Sequence, residues 1–195
     1  MNSYPKYIEV GGKRYPINTD FRIAIECNRI AEDETIGEYE RALAVIYILL
    51  GEEALDDIEH HSEMLELIKK YMLCGKEPSN KNEEPDMDYV EDYSYIRSSF
   101  RSEYGIKLDE ENLHWWEFNE MIGAMSNSEF GNCCVLNRIR NLRNYDTKDI
   151  KDKKELDRIN ELKKQYGLKK NQKKPTEKQK QNAKEIFEKL NLRRE

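Results

Sequence analysis

The sequence predicts a mainly α fold: a helical domain with a small N-terminal β-hairpin and a basic helical C-terminal extension. Three observations carry this. Only 9 glycines and 5 prolines interrupt 195 residues that are rich in Glu, Lys and Leu, a composition favouring helix over sheet. Apolar residues recur at helical spacing in successive segments, most of them opened by a capping residue and several closed by a glycine. Two-residue alternation stands out only near the N-terminus. Charged and hydrophobic residues each make up 37% of the chain, and mean hydropathy is −0.97, so a modest core under a solvated helical surface is expected. Five to seven helices follow from the caps and stripes.

Taken in order, YIEVGGKRYPI (7–17) reads as a hairpin, with Ile8 and Val10 before the Gly11-Gly12 turn and Tyr15 and Ile17 after it. Asn18 or Thr19 caps a helix Asp20–Ala31 whose face holds Phe21, Ala24, Ile25 and Asn28. Thr35-Ile36-Gly37-Glu38 has the form of a capping box, and the helix it opens carries Leu43, Ile46, Tyr47 and Leu50 before Gly51. Because ALAVIYILL (42–50) is almost wholly apolar, this is expected to be the most buried helix. Ser62 caps Glu63–Cys74, with Leu65, Ile68 and Met72 inside and Gly75 as terminator. Lys76–Asp88 is a loop by composition. Asp92 opens a helix through Ile96, Phe100 and Tyr104 to Gly105, Asp109 caps Glu110–Ser126, and Ser128 caps a short helix through Phe130 and Cys134. Ile150–Tyr166 carries the thin stripe Leu156, Ile159 and Leu162. A linker near 169–175 leads to a last amphipathic segment from Thr176, with Ala183, Ile186, Phe187 and Leu190.

Charge divides the chain into an acidic region, 1–149, and a basic tail, 150–195. The first holds 17 Lys+Arg against 31 Asp+Glu, the second 16 against 8. A basic arm suits an acidic partner, self-association or nucleic acid. Aromatic residues are not interleaved among its basic runs to stack bases, Tyr166 and Phe187 standing alone, which favours a solvated helical extension over a nucleic-acid binder. The longest apolar run is about half of a membrane span, and MNSYPKYIEV lacks the apolar core of a signal peptide, so a cytoplasmic location is expected.

LHWWEFNEMI (113–122) holds both tryptophans of the chain. On a helix they point about 100° apart and do not share one small pocket. Trp115, Phe118, Ile122 and Met125 form a core stripe. Trp116 points elsewhere, near Leu113 and above Gly123, which would let another helix approach. Trp116 therefore belongs to a second helix layer or to a partner surface, and Trp116, Leu113 and Gly123 are the candidate partner-binding residues. His114 has no marked nucleophile or orienting group and reads as a hydrogen-bonded structural histidine.

No catalytic, cofactor or metal residues are expected. His60-His61 and Cys133-Cys134 are adjacent pairs, whereas zinc ligand pairs usually have two or more residues between them. Cys134 reads as a small buried apolar residue. Four scattered cysteines do not make a disulfide scaffold. Nucleotide-binding, nucleophile-elbow and zinc-protease motifs are absent, and acidic pairs such as Glu110-Glu111 mark solvated faces and helix starts.

INTDFRIAIE (17–26), SEYGIKLDEENLHWWEFNEMIGAM (102–125) and IKDKKELDRINELKKQYGL (150–168) together resemble a family of tailed-phage and prophage proteins of Gram-positive bacteria. Its genes lie beside the tape-measure gene, in the position of tail assembly chaperones. The resemblance covers about residues 4–168 and leaves 169–195 beyond it. It implies a non-catalytic assembly factor of the host cell cytoplasm that coats the tape-measure protein while the tail tube polymerises. The tail tube protein and self-association are further implied contacts. A structural tail completion or connector protein is the alternative function, and a phage regulator that binds nucleic acid through the basic tail is the second.

Overall fold

The computed structural model describes residues 4–77, 84–127 and 133–172. Strands β1 (Tyr7–Val10) and β2 (Lys13–Pro16) pair antiparallel, with Ile8 opposite Tyr15. Gly11 and Gly12 take φ of 57° and 77°, the left-handed geometry a two-residue hairpin turn needs. The helices are α1 (Phe21–Ala31), α2 (Glu38–Leu50), the short α3 (Glu52–Asp56), α4 (His61–Met72), α5 (Tyr93–Tyr104), α6 (Trp115–Ala124), α7 (Val135–Asn144), α8 (Lys153–Tyr166) and the short α9 (Lys169–Gln172). The mainly α expectation holds, with seven helices of ten residues or more among the described residues.

Packing divides the chain into two compact units, Met1–Asn82 with Tyr89–Arg138, and Glu83–Asp88 with Ile139–Glu195. The division in packing therefore falls within α7, while the change in charge falls near residue 150. In the first unit the core is an aromatic cluster around Phe118. Its ring stacks on Phe21 of α1 at 4.4 Å and on Phe100 of α5 at 5.2 Å, with Trp115 at 5.9 Å. Side chains of this size, fully desolvated, each contribute a large share of apolar burial in so polar a chain. The hairpin packs its Val10–Tyr15 face inward, and both residues are buried. In the second unit Asp86 gathers Arg140 at 3.1 Å and Asn144 at 3.0 Å, while Arg143 donates to the carbonyls of Tyr166 and Asp86.

Several helix starts differ from expectation, each for a visible reason. Asp20 rather than Asn18 or Thr19 caps α1, because its carboxylate accepts from the Arg22 N–H at 2.8 Å. Thr35 is not a cap. Its N–H and hydroxyl both donate to Asp33, and α2 starts after Gly37. Ser62 lies inside α4, which a 3-10 turn (Ile58–His60) leads into. The largest shift is at α6, which starts at Trp115 and not Glu110. Residues 113–115 instead run alongside 19–21, with Phe21 N–H donating to Leu113 O at 3.1 Å and Trp115 N–H to Thr19 O at 2.8 Å. The Arg22 guanidinium takes the carbonyls of Leu108 and Glu111 and so fixes the turn ahead of them.

Burial also departs from the expected stripes. α2 does not stand out as the most buried helix, since the shorter α1 also buries four residues. Its buried residues are Val45, Ile46, Leu49 and Leu50, and Tyr47 is exposed. In α4 the buried set is Met64, Ile68 and Tyr71, one position off the expected Leu65 and Met72. α7 was not anticipated. Helix also continues over Lys169–Gln172, at the start of the expected linker. The expected Ser128 cap, Phe130, and the amphipathic segment from Thr176 lie outside the described residues.

Candidate partner-binding site

The two tryptophans meet the same helix end. The C-terminus of α4 leaves carbonyls without intrahelical partners. Trp116 Nε1 donates to Tyr71 O at 2.9 Å and Trp115 Nε1 to Met72 O at 3.0 Å. Cys74 and Gly75 then turn the chain with φ of 54° and 70°. Gly75 also lies close under the indole, since a Cβ there would stand 3.1 Å from Trp116 Cη2. The 100° divergence of the indoles is compensated by their reach, which brings each to one of two successive carbonyls. Trp115 is 1% exposed and belongs to the core as expected. Trp116 is half-buried and tilted against Tyr71. It packs on α4, the second-helix-layer side of the expectation.

His114 caps α6, with Nδ1 accepting from the Trp116 N–H at 3.0 Å. Nε2 then carries the proton and donates to Pro5 O at 2.9 Å. Tyr4 stacks on its ring at 4.9 Å. The histidine is structural: it joins the N-terminal segment, α6 and α4. Leu113 is half-buried, its carbonyl held by Phe21. Gly123 departs from expectation. It is exposed, with no atom within 4 Å of where a Cβ would stand, so no helix among the described residues approaches there.

An apolar groove stands elsewhere, where the end of α1, the first half of α2 and the end of α4 converge. Its volume is about 530 Å³, within the range of ligand and peptide pockets. Cys27 and Ala31 line it from α1, Ala42 and Val45 from α2, and Leu65 and Met72 from α4. Glu38, Arg41 and Lys69 supply its charged lining. None of Trp116, Leu113 and Gly123 lines it. Its small residues Ala31 and Ala42 leave the space between the helices unfilled. The signal for it lies in ALAVIYILL, too apolar on all sides for one core stripe to absorb.

The thiols near this region are poor nucleophiles. Burial pushes Cys27 up to about 12 and Cys74 up to about 11. Among the described residues no group of three or more His, Cys, Asp and Glu is placed to hold a metal ion. One Tyr–Asp–His cluster exists. Tyr15 donates its hydroxyl to Asp57, whose other oxygen meets His60 Nδ1 at 2.7 Å. His60 Nε2 faces the Gly11 backbone so closely that a Cβ on Gly11 would stand 2.5 Å away. The cluster latches the hairpin to the turn before α4, an attachment that Lys13–Glu53 at 2.8 Å reinforces.

The model of the bacteriophage Gp15 protein family matches residues 1–168. The chain belongs to this bacteriophage family. The match ends where the resemblance ends, before Lys169, and it spans the hairpin, the tryptophan pair and the groove. Comparison with curated proteins and with solved structures gave no match. No helix among the described residues of this Gp15-family chain is long and apolar enough to cross a membrane.

Proposed function

We propose that this phage protein is a tail assembly chaperone whose α1–α2–α4 groove binds apolar helical stretches of the tape-measure protein. The observation that carries the reading is an open, apolar, 530 Å³ groove built from three helix ends in a chain of a bacteriophage family. A tape-measure chain exposes apolar stripes before the tube closes around it, and a groove between helices is a common receptor for such a stripe. The polar remainder of the chain keeps the complex soluble.

Co-expression with the tape-measure protein of the same phage, followed by pull-down and a solubility assay, tests this. The client should co-purify and stay soluble. Ala31→Glu with Ala42→Glu puts carboxylates into the groove at positions that are exposed or half-buried, so the fold should persist while capture falls by about tenfold or more. A client equally soluble alone, with nothing co-purifying, would remove the chaperone reading. If the chain were then found in purified particles, it would be a tail completion or connector protein.

A further inference from the structure

We infer that the outer face of α2 is a second docking surface, fitted to a basic amphipathic helix of a protein partner. α2 is apolar on two sides. Glu38, Arg41, Ala42 and Val45 face the groove. At 100° per residue, Tyr39, Leu43, Ala44 and Tyr47 fall on the opposite side. There Tyr39 is 65% exposed and Tyr47 53%, while Leu43 and Ala44 are only half-covered. Isolated exposed apolar residues are ordinary, but successive turns of one helix presenting Tyr, Leu and Tyr make a continuous ridge. Tyrosine suits such a ridge, since it tolerates water and gains area on contact.

Charge identifies the occupant. Between Glu32 and Glu59 the chain has ten Asp and Glu and one Arg, Arg41. The acids stand at the two ends of the ridge. Glu40 stands in the first turn of α2 at its start, and Glu52 and Asp56 lie in α3 directly beyond Gly51. Arg41 is turned away and donates to Asp33 O at 2.8 Å. Two copies joined ridge to ridge would set acidic ends near acidic ends, whereas a helix with an apolar stripe and Lys or Arg in its first and last turns would match both features. This surface is distinct from the groove, and the inference does not rest on the chaperone reading.

The test is an anisotropy titration of the full chain with three labelled helical peptides of about 18 residues, enough to span the ~20 Å of α2. All share one Leu stripe and carry Lys, Gln or Glu in the end turns. The Lys peptide should bind about tenfold tighter than the Gln peptide, and the Glu peptide weakest. Tyr39→Ser with Tyr47→Ser should weaken the Lys peptide by about tenfold with an unchanged thermal melt, because both side chains are exposed. Equal binding of the Lys and Glu peptides, or none, would overturn the inference. So would a dimer in sedimentation that the tyrosine variant dissolves.

Discussion

At the scale of single residues, the tryptophan pair shows what a sequence reveals and what it hides. The helical stripe Trp115, Phe118 and Ile122 was legible because core faces repeat at 3.6 residues. The use of both indole N–H groups was not, because their acceptors lie 43 and 45 residues earlier, on α4. Trp115→Ala should destabilise the fold by about 3–5 kcal/mol, and Trp116→Ala by about 1–2, in denaturant titrations. Trp115→Phe keeps most of the apolar contact but leaves Met72 O without its donor, and should cost about 1 kcal/mol. Equal losses for the two alanine variants would contradict the burial difference.

His60 gives a pH prediction at the same scale. Its hydrogen bond to Asp57 raises its pKa above the ordinary value, with Glu63 and Glu59 adding to the effect and Tyr15 sharing Asp57. A raised folded pKa means that protonation favours the folded state. That stability is fully present below about pH 6.5 and is lost as pH rises through the folded value. Thermal melts should therefore fall in that window, and His60→Gln should flatten the dependence. An unchanged slope in His60→Gln would assign the pH dependence to another group.

At the scale of elements, terminators were easier to read than caps. Gly51, Gly75 and Gly105 all take positive φ at or just beyond the ends of α2, α4 and α5, a demand that few other residues meet. Caps are less specific, because Asp, Ser and Thr have competing partners. Thr35 serves an Asp33 turn, and Asp20 outcompetes its neighbours because Arg22 holds its carboxylate. α7 was missed because its Arg and Asn residues mask the stripe of Leu136 and Ile139. The helix is also held by polar contacts that no periodicity reports. Ser99 Oγ accepts from the Leu136 N–H at 3.1 Å, and Asn137 donates to Met125 O and Ser126 O. Asn137→Leu keeps the number and branching of side-chain heavy atoms and removes these donors. It should lower stability by about 1–3 kcal/mol, and a variant as stable as the parent would show that the bonds are dispensable.

At the scale of the whole molecule, composition anticipated the fold class, a small core and a largely charged surface. It could not place the groove. A concave site arises from how three helix ends meet, and the lining residues are separated by up to 46 positions, from Cys27 to Leu73. The residues singled out beforehand, Trp116, Leu113 and Gly123, lie outside it. An apolar client held in such a groove should remain bound in moderate salt, where exposed ionic contacts are screened within about 8–10 Å. Pull-downs across a salt series check this, and release of the client at moderate salt would indicate a mainly ionic contact.

The central claim is that client binding occurs in the groove. Hydrogen exchange of the full chain, with and without a helical fragment of the tape-measure protein, tests it most directly. The account predicts slowed exchange where the three helix ends meet: Cys27–Ala31, Glu38–Val45 and Leu65–Leu73. Binding that leaves these three segments unchanged, with protection appearing elsewhere, would contradict it.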